Sequence, residues 1–146
     1  MPKYIHRMST SNLKSCYIDP DEKLIEERGI DSTNTSIFGK ILDGSIPCNK
    51  VYEDDKVLAF HDISPQAPVH ILIIPKIRDG LTRLEKAEER HREILGHMMC
   101  KAAEIARNEQ LGDFRLVVNN GPRAFQSVYH LHIHILAKRD FTWPPG

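Results

Sequence analysis

The chain has 146 residues, enough for one domain with a sizeable core. Its 20 lysines and arginines balance 20 acidic residues, so no overall field draws it to nucleic acid or to a membrane surface, and the ligand it implies is small. Three scattered cysteines, Cys16, Cys48 and Cys100, argue against a secreted disulfide framework and a zinc knuckle, and no apolar run is long enough to span a bilayer, so a cytoplasmic protein is expected, with the nucleus also open to it.

Residues 1–35 are polar and form an extension to the domain at 36–146. Within the extension Asp19 caps a short helix, Pro20 opens it and Gly29 closes it, and this helix is expected on a mobile, partly disordered arm that carries no chemistry. Ile37, Phe38, Ile41 and Leu42 share one face of a second short helix that Gly44 ends, and Ile46-Pro47 turns the chain into a sheet. Val51-Tyr52 and Val57 to Ile63 flank a turn-like Glu53-Asp54-Asp55-Lys56, which predicts a hairpin whose second strand ends in His61-Asp62-Ile63.

Val69 to Pro75 is an apolar run broken only by His70, the pattern of a central strand covered on both faces. Glu85 to Gln110 predicts the long helix, with a stripe through Ile94, Leu95, Met98, Met99, Ala102, Ile105 and Ala106 and with Cys100 on its apolar side. Phe114 to Asn119 reads as a strand running into an Asn120-Gly121-Pro122 turn. Helices and strands in this order make an α+β domain.

From Gln126 to Leu136 the chain carries His130, His132 and His134 in strict alternation with Leu131, Ile133 and Ile135, which predicts a half-buried strand with the three imidazoles on one face, about 6.6 Å apart. Solvated polar positions, a metal site and chemistry on a phosphate are the three readings of such a row. A straight row cannot converge on one zinc ion without bending. Two imidazolium charges at that spacing repel by roughly 2.5 kcal/mol at an effective dielectric near 20, so the row cannot be fully protonated at neutral pH. A neutral nucleophile beside a cationic partner is the division of labour that phosphoryl transfer needs, and electrostatics favours this third reading.

The run His130-Leu131-His132-Ile133-His134-Ile135-Leu136 closely resembles the signature of the histidine triad family, His-x-His-x-His-x-x with apolar residues at x. Asp62 to His70, Ser127 and the terminal Trp143-Pro144-Pro145-Gly146 extend the resemblance to the Hint branch, the histidine triad nucleotide-binding proteins, from about Ser36 onward. The resemblance implies an α+β, HIT-like fold: a mostly antiparallel five-stranded sheet, one long and one short helix on one side, and a homodimer whose sheets join. It implies a purine nucleoside 5′-phosphoramidase, without cofactor or metal, in which His132 attacks phosphorus, His134 steadies an oxygen, His130 and His70 orient and share protons, and Ser127 passes a proton to the departing amine. Phe38, Ile41, Ile37 and Ile46 would surround the base, and Asp62 would take the ribose hydroxyls. His61, Ile63, Asn119, Phe125 and Gln126 complete the expected contacts, Asn119 to phosphate or ribose.

A dinucleoside polyphosphate hydrolase and a regulatory nucleotide-binding protein are the rival readings. The chain departs from the resemblance at Arg78, where many relatives carry a histidine that a phosphate or leaving group would meet, and at Ala124-Phe125, where relatives have glycines. With ordinary strand dihedrals, the Phe125 ring would lie over the leaving-group side and select among amines.

Overall fold

The structure is a computed structural model that describes residues 17–146. Cys16 and the first part of the extension lie outside the described residues. Five strands, β1 (Lys50–Glu53), β2 (Val57–His61), β3 (Val69–Pro75), β4 (Phe114–Val117) and β5 (Ile133–Ala137), form one antiparallel sheet in the order β1-β2-β3-β5-β4. The expected hairpin is β1–β2, and Asp54 shapes its turn by accepting the backbone N–H groups of Lys56 and Val57.

The central strand is β3, and from His70 to Pro75 every residue is buried because both faces of the sheet are covered. On one face Val57, Ala59, Ile71, Ile73, Ile133 and Ile135 pack against Met98, Ala102, Ile105 and Ala106 of α3 (Arg92–Asn108). On the other face Leu58, Phe60, Leu72 and Ile74 pack against Phe38, Ile41 and Leu42 of α2 (Ile37–Leu42). The helices therefore lie on both sides of the sheet and not on one. Truncating Ile71 or Ile73, which are fully buried, would cost about 2–5 kcal/mol.

The long helix is shorter than its periodicity predicts. Ala87 and Glu88 take extended dihedrals, and Leu84 to His91 folds as two short 3-10 turns, so α3 begins at Arg92. Its buried stripe is also narrower than expected, because Met99 is 53% exposed and Cys100 faces solvent.

The helix α1 (Pro20–Arg28) has the predicted limits, with Asp19 accepting from the Asp21 N–H and Gly29 in the left-handed region that favours glycine. It is not carried on a free arm. Asp21 and Glu22 are buried, and residues 19–35 are bound to the domain through two arginines. Arg78 grips Asp31 with two bonds of 2.7 Å and reaches Asp21 at 2.9 Å, while Arg83 and Thr82 hold Glu22 at 2.7 Å. No helix among the described residues is long and apolar enough to cross a membrane.

Candidate active site

Of the three alternating histidines only His134 lies on a strand. β5 starts at Ile133, and the residues before it are drawn instead onto the loop after β3, where the Leu131 N–H donates to the Leu81 carbonyl at 2.8 Å. His134 sits opposite Leu72, and His70 sits opposite Leu136, so both imidazoles project from the sheet face that α2 covers. The evenly spaced row is replaced by a cluster. The ring centroids of His132 and His134 are 4.9 Å apart, those of His70 and His134 are 5.2 Å apart, and Phe38 of α2 meets the His132 ring edge-on at 5.0 Å.

The hydrogen bonds assign a tautomer to each ring, because backbone N–H groups only donate and carbonyls only accept. Nδ1 of His132 lies 2.7 Å from the His130 carbonyl, so it carries the proton and Nε2 keeps its lone pair. Nε2 of His130 lies 2.7 Å from the Pro75 carbonyl and is likewise protonated, while its Nδ1 accepts from the Asn34 amide at 2.8 Å. Nδ1 of His70 accepts the Gln66 N–H at 3.0 Å, so its Nε2 proton points at Nδ1 of His134, 2.9 Å away. The proton of neutral His134 is then on Nε2, which is buried without a hydrogen-bond partner among the described residues. A lone pair on His132 and an unsatisfied donor on His134 stand side by side.

All four rings are held neutral. Burial drives His130 and His134 down to about 4 and lowers His132 and His70 as well. Repulsion between neighbouring imidazoles adds to the effect at His134, but desolvation is the larger cause, so the row is neutral chiefly because it is buried. Asp62 approaches this cluster, its Oδ2 standing 3.5 Å from Nε2 of His70.

Asp62, His70 and His134 bring one candidate ligand atom each to within 4.8 Å of one another. That set does not fit a zinc ion as it stands. Gln66 occupies the Nδ1 lone pair of His70, so the Nε2 facing His134 bears a proton and has no electrons to offer a metal.

The other expected residues are divided. Phe38 is buried against the histidines, and Ile41 and Ile46 line a cleft of about 470 Å³ that runs beside α2 to Lys50, Glu53 and Lys76. Ile37 is partly exposed and Ile63 is 92% exposed, which leaves apolar surface on the helix and on the Asp62 loop. Asn119 is half-buried just beyond β4 and Ser127 is exposed on the lead-in to the triad. His61 is not part of this face: it pairs with Ile71, whose side chain lies in the α3 core, so its ring projects to the opposite side of the sheet. Gln126 is buried with its amide bonded to Gly121, Thr82 and Val128, which holds the loop.

The structure also places the two departures from the resemblance, Phe125 without the strand dihedrals on which its expected role depended and Arg78 away from a phosphate contact. Phe125 has φ 62°, in the left-handed region, and not strand dihedrals; its ring is 79% exposed. Glycine would suit such a backbone, and Phe125 adopts it all the same. Arg78 faces no open phosphate position, being buried among Asp21, Asp31, Asn34 and the carbonyls of Thr33 and Tyr129. Asn34, Gln66 and the Pro75 carbonyl were not legible as site components, since they act through bonds to histidine nitrogens that no local pattern announces.

Residues 43–141 match the HIT domain family. The chain is 59% identical over 112 residues to the "14 kDa zinc-binding protein" of Brassica juncea, covering 76% of this chain and 99% of the relative. It is 56% identical over 116 residues to "Adenylylsulfatase HINT1" of Arabidopsis thaliana, covering 79% of each. Among solved structures, a HIT family hydrolase from Legionella pneumophila superposes with a TM-score of 0.72 at 42% identity, covering 75% of this chain and 98% of that one. With the histidine cluster on the sheet face and this match over most of its length, the chain belongs to the HIT domain family, in its Hint branch.

Proposed function

We propose that the protein hydrolyses purine nucleoside 5′-phosphoramidates, those of adenosine foremost, to a nucleoside monophosphate and an amine. The observation that carries this reading is the pairing of a free Nε2 lone pair on His132 with an unsatisfied Nε2 donor on neighbouring His134. In the first step the His132 lone pair forms a bond to phosphorus as the P–N bond breaks, and Ser127 passes a proton to the departing nitrogen. Water then attacks the nucleotidyl-histidine, its proton returns to Ser127, and the P–Nε2 bond breaks to release the monophosphate and restore the ring. His134 donates to a non-bridging oxygen, where charge grows in the transition state. Phe38, Ile37, Ile41, Ile46 and Ile63 supply apolar surface for the base, and Asp62 is the acceptor for the ribose diol.

The sulfatase name of the Arabidopsis relative supports a second reading with the same first step. Sulfate leaves from adenylyl sulfate without needing a proton, so Ser127 would be dispensable there. Against the zinc in the name of the Brassica relative stands the Gln66 N–H on Nδ1 of His70, which leaves the Asp62, His70 and His134 cluster, among the described residues, poorly suited to that ion. We also infer a homodimer, since β4 is an edge strand with Phe114 exposed along it.

Turnover on a panel tests the assignment: adenosine and guanosine phosphoramidates, adenylyl sulfate and a diadenosine polyphosphate. A higher kcat/KM for the adenosine phosphoramidate than for all the others is the expected result. Preference for adenylyl sulfate or the polyphosphate would reassign the substrate, and nucleotide binding without turnover would leave a regulatory binding protein.

A further inference from the structure

The extension and the histidine cluster meet at one side chain. Asn34 is separated from His130 by 96 positions in the chain, yet its Nδ2 lies 2.8 Å from the ring Nδ1. The orientation of the amide is determined by its other end, where Arg78 donates at 3.1 Å, the Ser36 N–H at 3.2 Å and the Ser36 hydroxyl at 2.6 Å. These donors require an oxygen, so the nitrogen faces His130. The same Ser36 hydroxyl caps α2 by accepting the Gly39 N–H, and α2 presents Phe38 to the His132 ring.

We propose that Asn34 is a positioning residue: its amide clamps His130 as a neutral ring protonated on Nε2, and with it the carbonyl that orients His132. The physical reason is donor opposition. With Asn34 donating to Nδ1 and Nε2 donating to Pro75, a second proton on His130 would set N–H against N–H. A neutral His130 spares the adjacent His132 a like charge, and the anchored ring keeps its own carbonyl 2.7 Å from Nδ1 of His132. Asp21 and Asp31 fix Arg78, and Arg78 holds the Asn34 oxygen, so these residues support the site while Glu22, bonded to Thr82 and Arg83, does not. The inference rests on His132 being the nucleophile for its effect on rate, but not for its effect on His130.

Three full-length variants test it, by imidazole nitrogen NMR and by kcat and KM. In wild type His130 should show an unprotonated, hydrogen-bonded Nδ1. Asn34→Ala should lose that signature and lower kcat by about tenfold, equivalent to about 1.4 kcal/mol, with KM nearly unchanged. Asn34→Asp, of the same shape, places a carboxylate against Nδ1 and should produce a doubly protonated His130 at neutral pH. The groups facing that ring are Arg78 and His132, which oppose the proton, and Asp31, which favours it. Glu22→Gln, which loosens α1 at Arg83 and Thr82, should lower stability while leaving the His130 spectrum and kcat at wild-type values. An unchanged His130 spectrum in Asn34→Asp would overturn the proposal, as would equal loss of kcat and signature in Glu22→Gln. If wild type turns over no nucleotide, the phosphoramidase reading falls and the spectra alone decide the role of Asn34.

Discussion

Nδ1 of His132 donates to the carbonyl of His130 at 2.7 Å, which turns the lone pair of Nε2 outward. His132→Ala should therefore abolish turnover while nucleotide still binds, because the ring supplies a covalent step and little ground-state affinity. Wild type should carry an acid-labile nucleotide label during turnover and the variant none. Activity retained in His132→Ala would remove the ring from the chemistry.

Chelation should leave the rate unchanged. The His70 nitrogen that faces His134 bears a proton, since Gln66 occupies the other, so no zinc ion is needed to organise the cluster. Stoichiometric zinc in active protein, with activity lost on its removal and restored on its return, would reverse this.

Acid should destabilise the fold before the carboxylates titrate. His130 and His134 are pushed from 6.5 to about 4 in the folded chain, so between those values the unfolded chain binds more protons and stability falls as pH falls. The contribution is fully present above about pH 6.5 and lost on the way down to about pH 4. Below that, protonation of Asp21, Asp31 and Glu22, all held below their usual values against burial by their arginine, hydroxyl and backbone N–H partners, adds to the loss. Chemical denaturation at a series of pH values, with a flat profile from pH 7 to 4, would contradict the neutral cluster.

Arg78→Met should cost about 3–5 kcal/mol, because it strands two buried carboxylates, Asp21 and Asp31, without their cation. Arg90→Met breaks only exposed pairs with Asp79 and Glu88 and should stay within about 0.5 kcal/mol of wild type. Urea midpoints at constant slope measure both. Near-equal midpoints for the two variants would mean that the extension contributes nothing to the folded domain.

Gly39→Ala sets two effects against each other. Alanine in a helix interior ordinarily gains about 1 kcal/mol over glycine. Here a β-carbon would press into the backbone oxygen of Asn34 and meet its Cγ at 2.8 Å, so the segment must move. Overpacking of this kind costs about 1–3 kcal/mol and should win. Loss of stability together with lower kcat is expected, since Asn34 would be displaced from His130. A more stable variant would show that residues 31–36 can yield without consequence.

Several features were legible in the residues themselves because each depends on local forces. Asp19, Pro20 and Gly29 state the limits of α1, the hairpin is written in Val51 to Ile63, and the apolar run of β3, broken only by His70, announces burial on both faces. The triad's motif pointed to the family, although its period overstated the strand: His130 and His132 precede β5 because Leu131 bonds to Leu81. The side of the sheet taken by His61 had no sequence signal, since Val57 to Phe60 are apolar at every position and leave no alternation to read.

What only the tertiary structure decided are the pairings between distant, ordinary polar residues. Nothing local distinguishes Arg78, which lies 57 positions from Asp21, from an arginine in solvent, and nothing marks Asn34 as the partner of a histidine far along the chain. A buried hydrogen bond is specified by where the fold brings two groups and by the exclusion of water around them. Its sequence signature is therefore spread over every element that packs the site, while helix caps and strand periods are written within a few adjacent residues.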